Sequence, residues 1–224
     1  MRKKDFLWLA FLIVLTSLLF IPVTKKHFES LTINYPYIMG FIKTAILATM
    51  GELLVMRIKT GRYFNDRGMF LKFIVWGFLG MIFVIIFKIF GDGVKSAQQT
   101  GFLLVSNVEI INSLLYAFLT SVFMNVFFAP SFMLLHRVTD GFIDQAQGAI
   151  KNIFKVKLSD VIDRISLNHF VSFVLLKTIP FFWIPAHTIT FLLPETYRVL
   201  MAAYLSIALG FILTISKYQK KVES

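Results

Sequence analysis

The 224-residue sequence contains no cysteine, which removes disulfides, zinc–thiolate sites, iron–sulfur clusters and thiol nucleophiles at once. Charge is scarce too, with Asp, Glu, Lys and Arg making up 16% of the chain. That is too little to give a water-soluble domain of this size a polar skin. The scarcer sign is negative: 12 acidic residues face 23 Lys and Arg, for a formal net charge of +11. The familiar catalytic patterns are also missing. No His-Glu-x-x-His, Gly-x-Ser-x-Gly, P-loop or dinucleotide glycine pattern occurs, so no enzyme is expected. The four histidines, at 27, 136, 169 and 187, do not pair at a spacing that holds a metal, and neither metal nor cofactor is expected.

What the chain has instead is grease. Hydrophobic residues are 57% of it, 26 residues are Phe, and the mean hydropathy is +0.75. Lipid must cover such a surface, and a hydrocarbon layer is crossed by about 20 apolar helical residues. Six runs qualify: Phe6–Val23, Tyr37–Met56, Met69–Phe90, about Ile111–His136, about Leu167–Leu193 and Tyr197–Ser216. The expected fold is therefore all-α, a polytopic transmembrane helical bundle of six spans. Five is the fallback should the proline-rich fifth segment re-enter instead of crossing.

Basic residues mark the cytoplasmic side of membrane proteins. With the N-terminus inside, alternating loops place fifteen Lys and Arg on inner segments, against only Lys25, Lys26, Lys95 and Arg198 on outer ones. This bias puts both termini inside and accounts for the net charge as topology, so nucleic acid is not an expected partner. Trp8, Tyr35, Tyr37, Tyr63, Tyr197 and Tyr218 fall at or beside span ends, where amphipathic rings sit at headgroup depth. Residues 1–26 read as an N-terminal signal anchor, since the run ends in Phe20-Ile-Pro-Val-Thr-Lys-Lys26 without an Ala-x-Ala-like cleavage site. Residues 27–219 form the multi-pass domain and 220–224 a basic tail. Within the domain, apolar residues at helical spacing predict an amphipathic helix over 145–165, lying on the inner surface or packed on the spans.

Polar residues inside spans are costly and usually face a partner or a wet cavity. Glu52 leads this group, on a stripe with Thr49, Ala48, Ala45 and Thr44 whose small side chains let another helix approach. It either lines a polar path or sits near the inner end, met by water or a Lys. Asn125, with Ser121 on its face, is the polar point of the Phe-rich fourth span, where Pro130 releases a carbonyl and can kink the helix. The fifth span gathers Lys177, Pro180, Trp183, Pro185, His187, Thr188 and Thr190. Two prolines five residues apart suggest a discontinuous helix of the kind that builds substrate sites in transporters, or else a kinked packing helix.

In order along the chain, Tyr35-Pro36, Gly51-Glu52-Leu53-Leu54, Met124-Asn-Val-Phe-Phe-Ala-Pro130 and the set Trp183, Pro185, Phe191, Pro194, Arg198 resemble motifs of one family. It is the family of small organellar membrane proteins named for the twenty-two-kilodalton peroxisomal membrane protein and for Mpv-seventeen. Relative to its motifs, Glu52 replaces an Asp, Met56 and Met124 stand where Gln and Asp are usual, and Pro185 lies one place late. The resemblance implies a channel-like multi-pass protein of unsettled substrate. With the residue reading, the expected function is a pore or transporter for small solutes, with Glu52, Thr49, Asn125, Ser121, Lys177, His187 and Thr190 along the path. The alternative is a non-conducting scaffold that binds proteins or lipids. The expected partners are the bilayer, an unknown small solute and further copies of the chain. The first span and the basic inner loops favour a bacterial inner membrane, with a mitochondrial inner or peroxisomal membrane as the alternative.

Overall fold

The computed structural model describes residues 3–63 and 68–222, leaving out the side chains of 213–222. Arg2, Arg67 and the side chains of Lys217, Tyr218, Lys220 and Lys221 thus lie outside the described residues. The fold is an all-α bundle, without a strand among the described residues. Helices α1 (Lys3–Ser17), α2 (Pro22–Asn34), α3 (Pro36–Thr60) and α4 (Met69–Gln99) come first. They are followed by α5 (Glu109–Phe123), which continues through a π-helical turn at Met124–Phe128 into α6 (Ala129–Gln145). Two short helices, α7 (Ile150–Ile153) and α8 (Leu158–Ile162), lead to α9 (Leu167–His169). A π-wound stretch over Phe170–Trp183, α10 (Ile184–Leu192) and α11 (Glu195–Val222) complete the chain.

Five helical segments are long and apolar enough to cross a membrane: Pro36–Thr60, Met69–Gln99, Glu109–Gln145, Leu167–Leu192 and Glu195–Ile212. The chain is an integral, multi-pass membrane protein. A sixth span exists only if α1 and α2 are taken together, and these two are bent by 81°. Within the first span expected over Phe6–Val23, the helix stops at Ser17 and a second begins at Pro22. Pro22 carries no N–H and disfavours helix in the residue before it; Ile21 is extended and Pro22 opens α2. The 15 residues of α1 reach only about 22 Å at 1.5 Å per residue, short of a hydrocarbon core of about 30 Å.

The fifth segment, by contrast, is a single 26-residue helix, so neither the re-entrant nor the discontinuous form is adopted. The wider π winding around Pro180 absorbs the missing N–H, much as the π turn before Pro130 does in the fourth span. The amphipathic helix expected over 145–165 is also corrected. Gln147 (φ 52°) and Gly148 (φ 71°) end α6 in left-handed backbone, and the segment folds as the two short helices α7 and α8. Its apolar side still packs inward: Val161 is 1% exposed and fills the space beside Gly141, where a Cβ would meet its methyl at 2.6 Å.

Helix α3 is the centre of the bundle. It runs antiparallel to α4 and parallel to α11, and glycines set both approaches. A Cβ on Gly80 would lie 2.3 Å from the Gly40 carbonyl oxygen, and one on Gly51 would lie 3.3 Å from the Ile207 backbone. The start of α1 is tied to the end of α3 by Asp5 and Arg57, whose Nε donates at 2.6 Å. Trp8 donates its indole N–H to the Met50 carbonyl. At the opposite end Lys43 is buried, donating to the Thr196 carbonyl and lying 4.6 Å over the Phe28 ring of α2. Tyr197 donates to Glu29 at 2.5 Å, which pins α2 across that end. The outer surface is a belt of exposed apolar side chains, among them Phe70, Phe78, Phe127 and Phe181. They face the position of the lipid.

Gly80→Ala should lower stability by about 1–3 kcal/mol, the cost of overpacking against backbone that cannot move away cheaply. Gly93→Ala in the same helix has nothing within 4 Å of the new Cβ and should stay within about 1 kcal/mol of wild type. Denaturant unfolding in detergent compares the two; equal losses would refute the close-approach account.

Candidate functional site: a polar cavity between α3, α4, α6 and α11

A cavity of about 660 Å³ lies between these helices and the π-wound fifth span. Along α3 its lining runs from Thr44 through Ala48, Gly51, Glu52 and Val55 to Thr60, about 24 Å at the helical rise. Lys59, Arg137 and His169 stand at the end where α3 finishes, and Thr44, Asn125 and His187 line the deep end. Small residues on α3 and α11, including Ala202, Ala203, Ser206 and Gly210, leave the room. Phe83, Phe128 and Phe132 supply apolar walls.

Glu52 sits midway. Its Oε1 accepts a 2.6 Å hydrogen bond from the Trp76 indole and lies 3.8 Å from His136 Nε2. His136 is one helical turn before Asp140, whose Oδ2 is 3.6 Å from the same nitrogen. These spacings follow from helix geometry, since residues four apart share a face and α6 presents that face to α3. Trp76 also packs on His136, with ring centroids 4.2 Å apart. Close by, Lys72 pairs with Asp144 at 2.8 Å, joining the start of α4 to the end of α6. The expectation that no metal-ligand set is present considered histidine pairs alone. The fold instead gathers one histidine and two carboxylates, with ligand atoms within 4.8 Å of one another.

At the deep end Asn125, Ser121 and His187 bond to one another, while the Thr44 hydroxyl and the Trp183 indole N–H are buried without a hydrogen-bond partner. Asn125 is fully buried, and its Nδ2 donates to the Ser121 carbonyl at 2.8 Å. The His187 Nδ1 lies 3.1 Å from Nδ2 and 3.3 Å from Oδ1 of the same amide. Ser121 Oγ donates to the Ile184 carbonyl at 2.7 Å, so one small network joins the fourth and fifth spans. Beyond it, Phe87 packs on His187 and Phe191 and, with Ala117, Met124, Val199 and Ala202, forms a buried apolar cluster. On the far side of this plug lies a second cavity of about 370 Å³, lined by Lys43, Phe87, Lys88, Glu195 and Arg198 among others.

The residues singled out from sequence divide accordingly. Glu52, Asn125 and His187 line the large cavity with Gly51 and Trp183, and Ser121 holds Asn125 from behind. Lys177 does not reach it, being exposed on the flank of the fifth span. Thr190 is fully buried, its hydroxyl donating to the Ala186 carbonyl. Thr49 is not among the residues that line the cavity, and its hydroxyl is buried without a hydrogen-bond partner. Pro36 and Pro185 open α3 and α10, Pro130 follows the π turn, and Pro194 lies in the link to α11. Phe191 is core at 2% exposure, and Arg198 caps α10 by donating to the Leu193 and Phe191 carbonyls. Sequence reasoning missed Trp76, His136 and Asp140. The four-residue spacing of His136 and Asp140 was the available signal.

Fold and site together define a polytopic helical membrane protein with a carboxylate–histidine cluster in a cavity that ends on an apolar plug. In comparisons with known proteins, no family model matches the chain, and neither does any curated protein or solved structure.

Asn125→Ala removes the amide that joins Ser121 to His187 and leaves buried groups unpaired. The expected loss is about 1–3 kcal/mol, read by denaturant unfolding in detergent. An unchanged midpoint would mean that this network does not hold the spans together.

Proposed function

We propose that the protein is a transporter-like carrier for small polar solutes in a bacterial inner membrane, acting without catalysis, with the large cavity as its solute site. The observation that carries this reading is the pair of cavities approaching the apolar plug from opposite ends, about 660 and 370 Å³. Transporter sites lie near the membrane midplane between such approaches. Phe87, which lines the smaller cavity, packs on His187, which lines the larger. The basic-loop rule turns the large cavity toward the cytoplasm. The motif resemblance to the peroxisomal and Mpv-seventeen family lends support, because Gly51, Glu52, Asn125 and Trp183 all line that cavity.

The non-conducting scaffold keeps one observation in its favour: the deep polar groups Asn125, Ser121 and His187 satisfy one another inside the bundle. Flux of small polar solutes into proteoliposomes separates the readings. Transport predicts wild-type uptake above that of empty vesicles and a fall of at least about tenfold in Glu52→Leu, the equivalent of 1.4 kcal/mol. Asn125→Leu should also reduce it. Wild-type uptake equal to that of empty vesicles, or insensitive to both substitutions, would favour the scaffold.

A further inference from the structure

We propose that Glu52, His136 and Asp140 form a binding site for a divalent first-row transition-metal ion of the zinc class, held between α3 and α6 inside the large cavity. The inference names the solute or resident ion of the site proposed above and rests on reading that cavity as a binding site.

Geometry is the first argument. Zinc takes histidine nitrogen and carboxylate oxygen at about 2.0–2.2 Å, so tetrahedral ligand atoms stand roughly 3.3–3.6 Å apart. The His136 nitrogen is 3.6 Å from Asp140 Oδ2 and 3.8 Å from Glu52 Oε1. The three ligand atoms all lie within 4.8 Å of one another, so side-chain rotation on the order of an ångström closes the set around an ion. Three protein ligands leave a fourth position open to the cavity, the arrangement of zinc sites that exchange water or substrate. An imidazole between carboxylates suits a borderline ion better than calcium or magnesium, which take oxygen ligands.

The second argument is an unmet need. His136 Nε2 and Asp140 Oδ1 are both buried without a hydrogen-bond partner, although buried polar atoms nearly always have one. These two belong to the same three-residue cluster. Two carboxylates around one imidazole also repel each other, and a cation relieves that repulsion. Lys72, which pairs with Asp144 at 2.8 Å, also attracts both carboxylates, and a bound ion would add to that from the cavity side, where Lys59 and Arg137 line the wall nearer the mouth.

Outer support is in place as well. Metal ligands are commonly oriented by a further hydrogen bond, and the Trp76 indole supplies one at 2.6 Å to Glu52 while its ring packs on His136. Trp76 is a positioning residue in this arrangement.

The test uses the full chain, purified in detergent and treated with chelator, titrated calorimetrically with Zn²⁺ and followed by its visible spectrum with Co²⁺. One ion per chain is expected, with a cobalt band characteristic of low coordination. His136→Ala, Asp140→Asn and Glu52→Gln should each weaken binding by at least about tenfold and abolish that band, and Trp76→Phe should weaken it by about tenfold, as lost supporting bonds do. His27→Ala, on the exposed face of α2, should bind as wild type does. Unfolding midpoints of the ion-free variants show whether each one folds, and Glu52→Gln keeps the side-chain shape if the alanine variant does not. No ion bound by the wild type, or equal binding by folded His136→Ala, would overturn the assignment. Ion binding without flux would leave this site standing and remove the transport reading; flux of other solutes without ion binding would do the reverse.

Discussion

Gly40 and Gly80 bring the backbones of α3 and α4 within a distance that no side chain tolerates, and Gly51 does nearly the same between α3 and α11. In lipid no hydrophobic force draws helices together, because the tails are as apolar as leucine, so close packing of small residues has to supply the attraction. That attraction fixes α3 in the middle. Once α3 is fixed, the positions of its polar residues follow. Lys43 is carried under α2 at one end, and Glu52 is aimed at α4 and α6, where the lining opens toward the other end. The cavity is what remains where the small-residue stripe of α3 ceases to be filled by a neighbour.

Polar groups within this frame fall into two energetic kinds. Asn125, Ser121 and His187 are neutral and bonded to one another and to the backbone, so their burial costs little beyond the ordering of three side chains. The π windings next to Asn125 and before His187 belong to the same solution. Each follows from a proline that removes an N–H, and the wider turn finds its carbonyls other partners instead of breaking the rod. Glu52, His136 and Asp140 are of the other kind. Their contacts at 3.6 and 3.8 Å are too long for hydrogen bonds, whereas the Trp76 indole donates to Glu52 at 2.6 Å.

What could be read from the sequence depended on whether a residue's role is local. Five of the six expected spans, and the sharing of one helical face by Asn125 and Ser121, were legible, because each rests on hydropathy or on helical spacing. The 81° bend between α1 and α2 was hidden by treating Pro22 as the edge of an apolar run instead of its terminator. The helix expected over 145–165 ignored a left-handed turn at Gln147 and Gly148, and apolar spacing alone cannot separate one amphipathic helix from two short ones. Lys177 seemed to mark a polar path because it lay in a span, but the face it occupies is fixed by how the fifth span rotates against α5, a tertiary fact. The cluster on α6 was missed for a similar reason. His136 and Asp140 gain meaning only when Glu52, 84 positions earlier in the chain, arrives from α3.

The distribution of charge along the cavity follows from the cost of desolvation. An ion taken out of water loses several kcal/mol of hydration that a single partner seldom restores, and the cost is steepest at the centre of the bilayer. Glu52 and Asp140 accordingly share the lining with Lys59, Lys72 and Arg137. The deep end holds the amide of Asn125, the Thr44 hydroxyl, the Trp183 indole and the His187 imidazole. Lys43, buried just beyond the plug, offsets part of the same cost by lining the second cavity and resting on the Phe28 ring, an arrangement in which an aromatic face replaces part of the lost water. In the layer between the two cavities Phe87, Phe191 and Ala117 are packed almost without exposure, and the charge that touches it, Arg198, lies over the Phe191 ring and lines the second cavity. A charge passing that layer would meet an apolar wall unless the helices around Phe87 shifted. The same packing that keeps the bundle together therefore holds the two cavities apart.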